Sequence, residues 1–148
     1  MPSTHLSLHY HLVFSTKSRK PWMAPEQRDR IHEYIGGTIR GMNGIAHAVG
    51  GTADHIHLFA GLRATHCLAA VMREIKSESS GWIHKELRLQ GFAWQEGYGG
   101  FTVGASDIEA VRSYVLHQEE RHRTSTFQEE YVAMLKRGLV EYDENYLW

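Results

Sequence analysis

Apolar and polar residues alternate along residues 5–14, where every second side chain from Leu6 to Phe14 is apolar. A period of two predicts a β-strand. Residues 45–50 and 54–62 are predicted as a hairpin, because a glycine-rich turn separates two strand-like segments. The aromatic and glycine-rich residues 91–104 predict a short strand, a tight loop and another short strand.

Helical periodicity appears between the predicted strands. Apolar residues recur at helical spacing from Pro25 to about residue 42, and again over residues 66–88. A side chain every three or four positions faces the same way on a helix, so both segments are predicted as amphipathic helices that cover one face of a sheet.

Two capping boxes predict further helices near the C-terminal end. Ser106 with Glu109 has the spacing that starts a helix, which should run to about residue 122. Thr126 with Glu129 predicts another, which should stop near Gly138.

The predicted order is β-α-β-β-α-β followed by two helices. This order is typical of an α+β, ferredoxin-like (split βαβ) antiparallel sheet, here with two additional C-terminal helices. Without an internal repeat or a low-complexity linker, residues 1–148 are predicted to form a single domain. The arrangement does not determine a function, since many functions occur on it.

Composition excludes several classes of protein. No apolar run approaches the roughly 20 residues of a membrane-spanning helix. The first 20 residues lack the apolar core of a signal peptide, because histidines interrupt the only candidate. Cys67 is the single cysteine, which rules out a disulfide framework and predicts a reduced, cytoplasmic protein.

The charge distribution is uneven. The net charge of −1 argues, as a total, against a nucleic-acid-binding protein. Residues 1–88, however, carry 11 basic and 7 acidic side chains, whereas residues 89–148 carry 5 and 10. The difference is either ordinary scatter or a sign of an anion-binding surface in the first part of the chain.

His55 and His57 flank one residue of a predicted strand. Side chains alternate along a strand, so both imidazoles should project from the same face and can bind one metal ion. The alternative is a pair of partly exposed histidines without a ligand. Asp54 and Glu96 are candidates for hydrogen bonds that orient metal ligands, and His5, His9 and His11 line one face of the first strand.

Tyr114 and Gln118 are one turn apart on a predicted helix. A tyrosine hydroxyl, with its pKa near 10, is a weak nucleophile at neutral pH. A phosphate that is polarised by a metal can be attacked by such a weak nucleophile. The Gln118 amide oxygen can serve as a further ligand of that metal. The alternative is a surface tyrosine and glutamine on an amphipathic helix.

Aromatic and basic side chains form a third group of candidates. Trp94 and Tyr98 lie in a glycine-rich segment, where they either stack on unpaired bases or pack beneath the loop. Basic side chains contact phosphates in nucleic-acid complexes, although most are simply solvated. The candidates for DNA contact are Lys17, Arg19, Lys20, Arg73, Lys76, Trp94, Tyr98, His122 and Arg123.

Taken together, these motifs make the chain resemble the single-tyrosine HUH transposases of the insertion-sequence-200/605 type, including the REP-associated tyrosine transposases. The resemblance spans nearly the whole chain, and its specificity comes from the order of its motifs. They are Tyr10-His11-Leu12-Val13-Phe14, Asp54-His55-Ile56-His57-Leu58, Trp94-Gln95-Glu96-Gly97-Tyr98 and Tyr114-Val115-Leu116-His117-Gln118.

The resemblance implies a function and its residues. His55, His57 and Gln118 would bind a divalent metal, Mg²⁺ or Mn²⁺, and Tyr114 would be the nucleophile. The family cleaves single-stranded DNA near hairpins through a 5′-phosphotyrosine, leaves a free 3′-hydroxyl, and rejoins strands without an organic cofactor. It works as a homodimer, in which the tyrosine helix completes either its own site or that of the partner.

Two other functions remain open from the residues alone. A non-catalytic or domesticated module that binds DNA or RNA hairpins would explain the basic first part and the aromatic segment. It would not require Tyr114, Gln118 and both strand histidines to coexist. A histidine-rich metal-binding protein is the other alternative, and it would show metal affinity without DNA affinity.

Overall fold

Four antiparallel strands form one sheet in the order β2-β3-β1-β4. The structure, a computed structural model, describes residues 3–148. This strand order, with helices following β1 and β3, confirms the predicted α+β, ferredoxin-like fold. The strands are β1 (His9–Ser15), β2 (Ile45–Gly51), β3 (His55–Gly61) and β4 (Gly99–Val103).

Helices cover both faces of the sheet. α1 and α2 pack on one face, where the largest group of buried apolar side chains lies. The C-terminal helices cover the other face, and every residue of β3 is therefore buried. Within residues 3–148, no helix combines the length and apolarity needed to cross a bilayer. The helices are α1 (Pro25–Gly41), α2 (Leu68–Glu86), α3 (Ile108–Leu116), α4 (Gln118–Arg121) and α5 (Phe127–Arg137).

Two strand predictions need correction. The first strand begins at His9 rather than at residue 5. Residues 91–104 contain one strand, β4, and the predicted strand before it is reduced to a single bridge between Thr16 and Trp94. Trp94 is buried in the main core, and the Gln95 side chain accepts a hydrogen bond from the Ser15 backbone, so this segment docks on the end of β1 without continuing a ladder.

One of the two predicted helix starts is wrong. Ser106 lies in a short 3₁₀ turn, and α3 begins after Asp107 without a side-chain cap. The helix predicted to reach residue 122 is interrupted at His117, whose φ of −111° and ψ of 35° separate α3 from α4. The prediction at Thr126 is confirmed, because its hydroxyl accepts a hydrogen bond from the Glu129 amide at 3.2 Å.

Glycine at position 50 allows β2 and α3 to approach closely. A Cβ atom placed there would lie 1.9 Å from the Val115 carbonyl oxygen. Gly50→Ala is therefore expected to push α3 away from the sheet and to lower the free energy of unfolding by about 2–3 kcal/mol. Urea denaturation followed by circular dichroism measures the loss.

Gly81→Ala is the matched control for this substitution. Gly81 lies inside α2, and a Cβ atom there would meet no atom within 4 Å. Alanine is expected to be neutral or to stabilise the helix by up to about 1 kcal/mol. Equal stabilities of the two variants would contradict the steric requirement at Gly50.

Candidate metal and tyrosine site

His55 and His57 lie side by side on β3 and face the C-terminal helices. In the antiparallel pairing with β1, His55 is opposite Ser15 and His57 is opposite Val13. The two histidines are 1% and 0% exposed. They are therefore not partly exposed surface residues, and each needs hydrogen-bond partners inside the protein.

The Nδ1 atoms of both histidines have such partners. His55 Nδ1 donates to the Asp54 carboxylate at 2.9 Å, and His57 Nδ1 pairs with His11 Nε2 at 2.7 Å. Burial lowers the pKa of His57 to about 4 and that of His11 to about 3, so both rings are neutral at pH 7. The Nε2 atoms are left for partners on the C-terminal helices.

Tyr114 and Gln118 are brought to these histidines by the α3–α4 segment. Gln118 is 1% exposed, and its side-chain amide donates to the Tyr114 carbonyl oxygen at 3.2 Å. This hydrogen bond directs Oε1 of Gln118 toward His55 Nε2, at 3.3 Å. The Tyr114 ring lies 5.7 Å from the His57 ring, centroid to centroid. The four residues expected to form the site are thus adjacent within one chain.

Glu130 on α5 lies at the centre of the site. Its Oε1 accepts from His57 Nε2 at 2.9 Å, and its Oε2 accepts from the Tyr114 hydroxyl. Burial opposes ionisation, but hydrogen bonds from His122 and His57 hold the pKa of Glu130 well below its ordinary value. Burial and the adjacent carboxylate in turn raise the pKa of Tyr114.

Glu130 and Arg121 are the residues that the sequence interpretation missed. Arg121 lies over the Tyr114 ring at 4.9 Å and 3.8 Å from Glu130 Oε2. One sequence signal for Glu130 exists: with Phe127 and Met134 it occupies the buried stripe of α5 at helical spacing. A glutamate on an apolar stripe needs a buried partner, which is a reason to look for one.

The donor set fits a divalent metal. One side-chain ligand atom each from His55, His122 and Glu130 lies within 4.8 Å of the other two. The Gln118 amide oxygen lies 3.1 Å from His122 Nε2. Imidazole nitrogens together with carboxylate and amide oxygens suit first-row divalent ions such as Mn²⁺ and Zn²⁺, and the oxygens also suit Mg²⁺.

The basic turn after β1 lies at the end of the sheet where His55 is found, since Ser15 pairs with His55. Lys17 and Lys20 are exposed there. The Arg19 guanidinium lies 5.1 Å from the centre of the Trp148 ring. These three basic residues therefore lie near the histidines in space.

The candidates around residues 94–98 differ in exposure. Trp94 is 9% exposed and its indole donates to Ser79 Oγ at 2.9 Å, which favours the packing role. The Lys76 ammonium donates to the carbonyl oxygens of Gln95, at 3.0 Å, and Gly97. Among the remaining candidates for DNA contact, Arg73, Tyr98 and Arg123 are exposed to solvent.

An open pocket lies beside the tyrosine. It has a volume of about 490 Å³ and is lined by Ser113, Tyr114, His117, Glu120 and Arg121. The pocket therefore lies along the part of α3 and α4 that carries Tyr114 and Arg121.

Solved structures share this fold. A protein of Deinococcus radiodurans R1 assigned as a transposase aligns over 78% of this chain and 93% of its own, with a TM-score of 0.64 and 19% identity. A REP-associated tyrosine transposase bound to a REP hairpin aligns over 95% of this chain and 74% of its own, with a TM-score of 0.56 and 15% identity. No curated protein matches the sequence.

The family model of IS200-like transposases matches residues 4–118, from before β1 through Gln118. The chain therefore belongs to the IS200-like transposase family. α5, which carries Glu130, lies outside the matched segment.

Proposed function

We propose that the chain is a metal-dependent transposase that cleaves and rejoins single-stranded DNA near hairpins through a 5′-phosphotyrosine at Tyr114. The observation that carries the proposal is the position of the Tyr114 hydroxyl, which shares the Glu130 carboxylate with His57. The REP hairpin bound by one structural neighbour supports a hairpin as the substrate.

His55, His57 and Gln118 are the proposed ligands of a divalent metal, Mg²⁺ or Mn²⁺. When bound, the metal would act as a Lewis acid on an oxygen of the scissile phosphate. Asp54 and His11 hold the two imidazoles in orientation through their Nδ1 atoms. Both hydrogen bonds fix the ring position, and the one from His55 Nδ1 to the Asp54 carboxylate also increases the basicity of His55 Nε2.

Tyr114 would attack the scissile phosphorus. A bond forms between the tyrosine oxygen and phosphorus while the bond from phosphorus to the 3′-oxygen breaks. The phenolic proton leaves through the Glu130 carboxylate, to which the hydroxyl already donates, and the 3′-oxygen takes up a proton from solvent. Arg121, beside the Tyr114 ring, is placed to contact a phosphate oxygen.

Attack by a second 3′-hydroxyl on the phosphotyrosine would reverse the step and join a new pair of ends. Each forward step exchanges one phosphodiester for another, so no external energy source is needed. Tyr114 lies next to Glu130 and His57 of its own chain, which supports a site completed within one subunit. A homodimer is the proposed assembly.

Adduct formation tests the proposal. Incubation of the protein with Mn²⁺ and a DNA hairpin that carries single-stranded flanks is expected to give an adduct stable in denaturing detergent. Peptide mass spectrometry should locate the nucleotide on Tyr114, and EDTA should abolish the adduct. Hairpin binding without any adduct would contradict the proposal and favour a non-catalytic hairpin-binding module.

A further inference from the structure

His122, on the turn after α4, points its Nε2 atom into the same site. Its Nδ1 lies 2.8 Å from the Ser125 carbonyl oxygen, so Nδ1 carries the hydrogen. Nε2 lies 3.1 Å from Gln118 Oε1 and 3.5 Å from Glu130 Oε1. The ring is thus oriented by a backbone acceptor with its other nitrogen aimed inward, as in metal-binding histidines.

The side-chain atoms around His122 Nε2 are spaced like ligands of one ion. Ligands bound at about 2.1 Å to a single ion lie roughly 3.0–4.2 Å apart in an octahedral arrangement. The Gln118 Oε1 atom lies 3.3 Å from His55 Nε2 and 3.1 Å from His122 Nε2. The Glu130 Oε1 atom lies 3.5 Å from His122 Nε2 and 2.9 Å from His57 Nε2. Ligand atoms of three of these residues, His55, His122 and Glu130, also lie within 4.8 Å of one another.

The hydrogen bonds made by His55 and Gln118 direct one ligand atom of each residue into the site. His55 Nδ1 donates to Asp54, so Nε2 is the ring nitrogen that can bind a metal. The Gln118 amide nitrogen donates to the Tyr114 carbonyl, so the atom facing His55 Nε2 is an oxygen. His55 Nε2 and Gln118 Oε1 thus face each other at 3.3 Å, and His122 Nε2 lies 3.1 Å from the same oxygen, a spacing that a metal ion bound by all three would satisfy.

We propose, building on the proposed function, that Glu130 and His122 are additional ligands of the same divalent ion, so that the metal fastens α5 to the strand histidines. Three imidazoles, one carboxylate and one amide oxygen would then surround the ion. This set includes a ligand from a helix that the family match does not reach. The carboxylate neutralises one of the two positive charges, and the imidazoles favour Mn²⁺ or Zn²⁺ over Mg²⁺.

If the contact of Glu130 with Tyr114 and His57 has a different role, the metal is expected to have the opposite effect on α5. If Glu130 only occludes Tyr114, a bound metal would compete with it for His57 and would release α5 from the sheet. Metal binding would then loosen α5, and removal of the carboxylate would leave the metal affinity unchanged or higher. The two roles can therefore be separated without measuring DNA cleavage.

The first measurement is Mn²⁺ affinity by calorimetry. Glu130→Gln is expected to raise the Kd for Mn²⁺ by at least about tenfold, and His122→Ala to raise it similarly. Glu129→Gln is the matched control, because it removes the same charge from an exposed neighbour on α5 and should leave the Kd unchanged. Thermal melting in EDTA checks that each variant folds. Glu130→Asp provides a second test of the ligand role, because aspartate keeps the charge but is too short to reach the metal.

The second measurement is amide hydrogen exchange of residues 127–137. Mn²⁺ is expected to slow their exchange at least threefold in the wild-type protein and in Glu129→Gln, but not in Glu130→Gln. Faster exchange on addition of Mn²⁺, or an unchanged Kd in both Glu130 variants, would overturn the proposal. Because both measurements omit DNA, loss of the tyrosine adduct with normal Mn²⁺ binding would refute the proposed function alone.

Discussion

Tyr114→Phe is expected to abolish the covalent protein–DNA adduct and to lower DNA cleavage by at least about 10³-fold, the scale of a lost nucleophile. Phenylalanine keeps the ring, which packs near His11 and His57, and removes only the oxygen that would bond to phosphorus. Hairpin affinity should stay within about twofold of the wild type, because the hydroxyl would contact only the scissile phosphate. Denaturing gels measure the adduct, and fluorescence anisotropy measures binding.

Tyr98→Phe is the control for this variant. Tyr98 is 36% exposed, its ring lies 5.8 Å from the Lys76 ammonium, and phenylalanine keeps the ring that would stack on a base. Loss of its hydroxyl should leave adduct formation intact. Adducts at the wild-type level in Tyr114→Phe would show that another residue is the nucleophile.

His55→Ala and His57→Ala are each expected to eliminate metal-dependent cleavage and to raise the Kd for Mn²⁺ by about 100-fold or more. His57→Ala should also destabilise the fold by about 2–3 kcal/mol, because it leaves the buried His11 ring without its partner and removes one of the hydrogen bonds to the Glu130 carboxylate. The two effects are separated by measuring Mn²⁺ titrations and urea denaturation on the same samples.

His9→Ala is the matched control, since it also removes a histidine from a strand of this sheet. His9 lies on β1 opposite Gly61, at the far end of the β1–β3 pairing, and pairs with His47 at 3.0 Å. Mn²⁺ affinity and cleavage should be unchanged. Metal-dependent cleavage that survives in either His55→Ala or His57→Ala would refute the ligand role of that residue.

Local periodicity predicted that His55 and His57 share one face of a strand and that Tyr114 and Gln118 share one face of a helix. That the two pairs form one site was implied only by the resemblance to the transposase family. The position of Glu130 did not follow, because it depends on how α5 folds back over the sheet after the turn at residues 122–126. Trp94 was ambiguous for the same reason: composition does not tell whether an aromatic ring enters the core. The false cap at Ser106 arose because a 3₁₀ turn displaced the helix start by one residue, so that Asp107 is the N-cap.

The absence of a Cβ atom at Gly50 has a consequence for the exchange of DNA strands in the proposed reaction. The β2 backbone lies directly beneath the Val115 carbonyl, so α3 has no room to sink toward the sheet, while Val115 itself is fully buried against Phe59 and Ala48. This contact therefore sets the smallest distance at which α3, which carries Tyr114, can lie above the strands. In the proposed reaction the DNA ends would therefore move toward the phosphotyrosine, rather than the phosphotyrosine toward the sheet. Which two ends are joined would then depend on how the bound DNA is positioned.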